Sequence, residues 1–419
     1  MKSTWSILIL STCLFVPTCI KKTRHTEEKH QVKTVSIPQS PVKNKKFIGF
    51  CWAYASVDFF ESEYKRIHGG AEMILSPEAL GFFRMAEGMH EIIQESATAA
   101  DAIQNLSCQR LQGLSILTNT KDSWKGAFNL VQKYGLWPES VYRVKFEEES
   151  IREQTLFGIR ERFEKLLSET QSKRGSFKET TIEDIIEKVM VNPPGDTTAP
   201  SAFKTRPPLE FETEKGVRVK ATEFSKSVIE NIDEYKKIAV DTQDELNEAI
   251  RLIKTSLGMG RSVPLGLGVD RNHLFREGEK TVFSGKKSHC PVGPCLDQFY
   301  KLKDDPLIDP KCPKREMTPY NQGRHDILIT DFLNKGGQLG KLESPSAMQS
   351  EIQKPATELD SFHIKNNWGV ESPGQEGESS WLPSVDGYYF IDKEYLEQSI
   401  QNGVSLNFVI HSSIMKVSP

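Results

Sequence analysis

One cysteine in this 419-residue chain sits where a thiol can be made reactive. Cys51 lies in Gly49-Phe50-Cys51-Trp52-Ala53-Tyr54-Ala55, and Trp52, Ala55 and Phe59 fall on one face of the helical pattern it opens. A thiol attacks only as its thiolate, and the unpaired N–H groups and positive dipole end of a helix N-terminus lower its pKa. Such a nucleophile needs an imidazole to take its proton and return it to the leaving group, and the imidazole needs a third group to hold its orientation. His325 opens the apolar run His325-Asp326-Ile327-Leu328-Ile329. Asn366 closes another, Phe362-His363-Ile364-Lys365, ahead of Asn367-Trp368-Gly369. Antiparallel pairing of two strands can bring that ring and that amide together.

The elements that must position these groups differ along the chain. After the Cys51 helix, Gly69-Gly70 supply a stop, and Ser76-Pro77-Glu78 gives a second helix an N-cap and a first-turn proline. Residues 146 to 190 carry a charged amphipathic pattern with Ile151, Phe163 and Leu167 among its apolar positions, and Thr180-x-x-Glu183 is expected to cap the helix ending before Pro193-Pro194. The prolines 193, 194, 200, 207 and 208 mark residues 193 to 225 as linker-like, so 144–225 is expected to form a largely separate, partly exposed element. Thr242-x-x-Glu245 starts a further helix to about Leu257, and a β-type run follows from Val263 to Val269. The last quarter holds short β-branched or aromatic runs at 325–329, 362–365, 387–391 and 406–410, which read as an antiparallel sheet. Helices first and strands last predict an α+β fold.

Composition narrows the partners. With 54 Lys+Arg against 57 Asp+Glu, the net charge of −3 provides no basic field, so nucleic acid is not expected. The charged start, short apolar stretch from Trp5 to Val16 and break at Pro17 read as a signal peptide over residues 1–19, too short to span a bilayer. The expectation is an exported protein: secreted, periplasmic, or lipid-anchored at the cell envelope through Cys19. Residues 20–41 read as an exposed lead-in, too short for a folded inhibitory prosegment. Cys108, Cys290, Cys295 and Cys312 are an even set suited to an oxidising compartment, with no pairing readable among them. His289, Cys290, Cys295 and Cys312 have ligand chemistry but no Cys-x-x-Cys doublets, so neither a metal nor another cofactor is expected. His90-Glu91 lacks the second histidine of a zinc-protease helix, and His363 reads as a core or surface histidine facing away from Asn366.

The order Cys51, His325, Asn366 resembles that of the papain-like cysteine peptidases. Further islands carry the likeness: Leu75-Ser76-Pro77-Glu78-Ala79-Leu80, Tyr134-Gly135-Leu136-Trp137-Pro138-Glu139, Lys365-Asn366-Asn367-Trp368-Gly369 and Asp386-Gly387-Tyr388-Tyr389. Val42-Lys43-Asn44 and the charged insertion are similar to the bleomycin hydrolase branch. The resemblance implies a two-lobed α+β fold: a helical lobe over 42–143 with the nucleophile, the insertion and linker over 144–240, and a β-rich lobe over 241–419. It implies Cys51 as nucleophile, His325 as acid and base, Asn366 as orienter and Trp368 as a shield over the His–Asn bond. Where the family has a glutamine six residues before the cysteine to bind the oxyanion, this chain has Lys45, beside Asn44. Both are oxyanion candidates. The implied activity is cleavage of peptide or protein substrates through an acyl-thioester; the alternative is a weak or inactive papain-like module that binds peptides or a partner.

Overall fold

The computed structural model describes residues 37, 39–43, 50–110, 123–144, 149–191, 203–269, 273–277, 280–286, 324–336, 345–367 and 386–416. All of these fall in one compact unit, residues 33–419; residues 1–32, with the signal-peptide and Cys19 expectations, lie outside the described residues.

The helical lobe is built on α1, Cys51–Ile67, which ends just before Gly69 (φ +62°). Helix α2, Pro77–Glu95, begins as expected: the Ser76 hydroxyl accepts from the Ala79 N–H, with Pro77 in the first turn. Helices α3 (Ala99–Arg110), α4 (Ser123–Tyr134) and α5 (Glu149–Arg174) complete its first part. Segment 149–190 does not stand apart as expected. Ile159, Phe163, Leu166 and Leu167 form an i, i+4, i+7, i+8 stripe on α5 and join the same buried apolar cluster as Phe59, Leu80 and Trp137. The charge density of α5 hides that stripe in the sequence. Gly175 (φ +82°) ends α5, and the short α6, Ile182–Ile185, is capped by Thr181 and Asp184, one residue later than expected. Thr180 is not the cap, because its hydroxyl donates to the Phe177 carbonyl at 2.7 Å in the preceding turn.

The described part of the linker-like stretch is also bound to this lobe. Trp137 Nε1 donates to the Pro208 carbonyl at 2.7 Å and the Tyr142 hydroxyl to Thr205 at 3.2 Å. The hairpin β1 (Glu210–Glu212) and β2 (Arg218–Lys220) then leads into α7, Ala221–Val228. Gly135 (φ +102°) lies so close to Ala221 that a Cβ would stand 2.2 Å from its carbonyl carbon, so glycine is required there. Pro193 to Pro200 lie outside the described residues.

The second lobe is an eight-stranded sheet in the order β3 (Tyr235–Val240), β10 (Leu406–His411), β4 (Val263–Gly268), β7 (Arg324–Asn334), β8 (Leu359–Lys365), β9 (Tyr388–Asp392), β6 (Lys280–Phe283), β5 (Leu274–Glu277). Every pair is antiparallel except β6 with β9, which the all-antiparallel expectation missed. Helix α8, Gln243–Gly258, carries the expected Thr242/Glu245 capping box. Helices α9 (Pro345–Gln353), α10 (Lys393–Gln401) and α11 (Ser412–Met415) complete the described helices. Leu265, Ile327, Ile364, Tyr389 and Phe408 centre the lobe's own apolar core. The fold class is thus the expected α+β arrangement of a helical lobe and a β-rich lobe. Strand β7 joins the lobes through its alternation: Ile327 and Ile329 enter the sheet core, while Leu328 between them enters the helical-lobe core.

One expectation for the start of the chain fails. Ile37 and Ser40, placed in an exposed lead-in, are both buried, Ile37 within the β-lobe core. An apolar residue amid polar neighbours has no periodicity to announce its burial.

Candidate active site

Cys51 is the first residue of α1, half-buried, and Phe50 ahead of it offers no side-chain cap. Cys51 thus stands in the helix turn whose N–H groups have no intrahelical acceptor. The helix start is fixed by packing: the Phe50 ring lies against α2 at Gly81, where a Cβ would be 2.6 Å from the ring. Helix α1 packs along β7, the strand that carries His325 near its start.

His325 pairs with Leu267 of β4, and Asn366 follows directly on the last residue of β8. The two meet as the spacing predicted. His325 Nε2 and Asn366 Oδ1 are 2.8 Å apart, and both residues are buried. An amide oxygen only accepts, so Nε2 carries the hydrogen and Nδ1 is the nitrogen with the lone pair. The Asn366 backbone N–H donates to the Gly387 carbonyl at 3.1 Å. Gly387 (φ +81°) in turn sits against Val42, whose methyl carbons would be 2.5 Å from any Cβ there.

Behind Cys51 and Asn366 lies a group of charges that sequence reasoning did not find. Lys365 is fully buried; its Nζ donates to the Ser40 carbonyl at 2.9 Å and Ser40 Oγ at 3.0 Å, and pairs with Asp58 Oδ1 at 2.9 Å. The same Asp58 oxygen accepts from Lys43 Nζ at 3.1 Å, and Lys43 reaches Glu61 at 2.6 and 2.7 Å. Glu61 also accepts the Leu75 N–H at 2.6 Å. Two ammoniums face two carboxylates, so the group is charge-balanced. Burial works against the charge on Lys43, but Asp58 and Glu61 outweigh it and hold its pKa above the ordinary lysine value. Burial is the dominant influence on Lys365 and draws its pKa down, with Asp58 opposing. The only available signal was Asp58 and Glu61 on the helix that Cys51 opens, and charged residues on a helix usually read as solvated.

A second polar group ties the far end of α1 to the sheet side. Buried Glu63 accepts from Arg66 at 2.8 Å, Arg261 at 2.7 Å and the Tyr235 hydroxyl at 2.6 Å. His363 is built differently from His325. Its ring stacks on Tyr388 with centroids 4.9 Å apart and lies against Phe390, and burial pushes its pKa down to about 4. Glu91, considered beside His90, pairs with Arg84 at 2.7 Å. Lys45, Asn44, Trp368, His289, Cys290, Cys295 and Cys312 lie outside the described residues, as does the side chain of Cys108.

Residues 12–192 match the model of the Peptidase C1-like family, a span that holds Cys51 and ends before His325 and Asn366. The resemblance to the papain-like cysteine peptidases is borne out at the level of the family, which supports a cysteine peptidase and hydrolase. The chain is also similar to PepW of Lactobacillus rhamnosis (15% identity over 90% of this chain and 81% of that one, TM-score 0.48). It is similar to xylellain, a cysteine protease of Xylella fastidiosa (15% identity, 91% and 85% covered, TM-score 0.37). No curated protein matches the chain by sequence.

Proposed function

We propose that the chain hydrolyses peptide bonds with Cys51 as nucleophile, His325 as acid and base, and Asn366 as orienter of the imidazole. The observation that carries this reading is the buried 2.8 Å bond between His325 Nε2 and Asn366 Oδ1, which fixes the tautomer that leaves Nδ1 to handle the proton. Nδ1 takes the Cys51 proton, and the thiolate sulfur attacks the scissile carbonyl carbon as the carbonyl electron pair moves to oxygen. The C–N bond then breaks, Nδ1–H protonates the departing amine, and an acyl-thioester remains. Water gives a proton to Nδ1 and attacks the same carbon, the C–S bond breaks, and the carboxylic acid leaves. The Cys51 backbone N–H, with Lys45 or Asn44 as second donor, is assigned to the oxyanion, and Trp368 to shielding the His–Asn bond. Peptides or proteins are the substrate class, and the pattern of residues 1–19 supports an exported enzyme.

Alkylation of Cys51 by iodoacetamide across pH tests the reading. The expected result is selective modification of Cys51 with a rate that reaches its plateau well below pH 8, abolished in Cys51→Ala. A Cys51 that is unreactive, or that titrates like an ordinary thiol near ~8.5, would remove the enzyme and leave a binding module.

A further inference from the structure

We infer that Lys365 and Asp58 are positioning residues that set Asn366, and through it His325, in register with Cys51. This rests on the peptidase reading. Lys365 is the residue before Asn366, and its ammonium is held by three atoms that belong neither to its own strand nor to any neighbouring strand: Ser40 O, Ser40 Oγ and Asp58 Oδ1. Asp58 lies seven residues after Cys51, two turns on, so it shares the helix face of the thiol. The path from nucleophile to orienter is therefore short and stiff: two turns of α1, one fully buried ion pair of 2.9 Å, and one peptide unit.

Among the described residues, no other hydrogen bond or ion pair at this end of β8 joins Asn366 to α1. The Asn366 N–H is held by the carbonyl of Gly387, just ahead of β9, and the side chain by His325 on β7. The packing of α1 along β7 already brings His325 to the Cys51 helix, and the Lys365–Asp58 pair adds a directional tie from α1 to the residue before Asn366. A buried ion pair is a poor way to gain stability, since well-packed apolar residues often do as well or better. Its directionality is what apolar packing cannot supply. Lys43 neutralises the second charge of the group through Glu61, so Asp58 and Lys365 can be removed together and leave a balanced pair behind.

The test compares three proteins whose folding is checked by thermal unfolding: wild type, Lys365→Arg, and the double variant Asp58→Leu/Lys365→Met. The double variant is expected to fold, because it replaces an ion pair by apolar groups. It should lose about 10²-fold in kcat with KM within about threefold, the size of loss expected from misplacing a catalytic group by about 1 Å. Its Cys51 alkylation profile should move toward that of an ordinary thiol. Lys365→Arg, which keeps the charge, should recover much of both. A folded double variant with wild-type kcat and an unshifted profile overturns the inference while leaving the peptidase reading intact. A wild-type protein that already lacks the low-pH plateau overturns the reading itself. If the double variant does not fold, Asp58→Asn is measured in its place, and an unchanged kcat and profile there overturns the inference equally.

Discussion

Two buried aspartates, one on α1 and one on β7, meet the same burial in different ways. Asp58 on α1 gives one oxygen to two lysines, Lys365 at 2.9 Å and Lys43 at 3.1 Å. Among the described residues, no cation pairs with Asp331 on β7. One of its oxygens accepts the Phe332 N–H at 2.7 Å, the other has no partner, and burial pushes its pKa up to about 7. Depth alone does not decide whether a carboxyl group is charged. Asp58 is paired with both lysines, while burial of Asp331 without a cation favours its protonated form.

The largest effect should come from breaking the first arrangement on one side only. Asp58→Leu alone strands Lys365 and leaves three charges unbalanced, and should cost about 3–5 kcal/mol of unfolding free energy in a urea titration. A loss under 1 kcal/mol would mean that water or another group satisfies the lysines.

Asp331→Asn should act with the opposite sign and only at higher pH. The folded pKa lies above the unfolded one, so the stability linked to the neutral form is complete below about pH 4 and is lost as pH rises through about 7. The variant removes that loss: it should match wild type near pH 4 and exceed it by as much as about 4 kcal/mol at pH 8. Equal stability of the two proteins at both pH values would show that Asp331 is not held neutral.

Smaller effects should separate the site from the scaffold. Glu63→Gln weakens the contacts to Arg66, Arg261 and Tyr235 at the other end of α1 and should cost about 1–3 kcal/mol. Its kcat should stay near wild type, because that group does not adjoin Asn366; a large fall in kcat would blur the distinction drawn between the two ends of the helix. Thr242→Ala removes the α8 cap and should cost about 1 kcal/mol with no change in the alkylation profile of Cys51.

What the sequence disclosed follows from how local each signal is. The helix start at Cys51, the Ser76 and Thr242 caps and the strands carrying His325 and Asn366 each depend on a few adjacent residues, and each was legible. The Lys365–Asp58 pair was not, since a lysine closing a strand and an aspartate on a helix both read as solvent-facing until the partner is known. Ile37 and the α5 stripe were missed for a related reason: the apolar residues are diluted by charge, and what covers them is distant in sequence. His363 shows the value of the local argument, because its ring is packed against Tyr388 and Phe390 and is not part of the His325–Asn366 pair.

The strap of residues 39–43 has a consequence for how the molecule comes into being. Ser40 and Lys365 touch across 325 residues of sequence, so a contact made by the start of the compact unit must wait for nearly all of the chain to be synthesised. The helical lobe has its own apolar cluster and can begin to assemble early, as amino-terminal parts commonly do during translation. Until β8 arrives, Asp58 has Lys43 as a partner but not Lys365, and His325 on β7 has no Asn366 to bond. A chain that stops before Lys365 therefore has neither the ion pair with Asp58 nor the bond between His325 and Asn366.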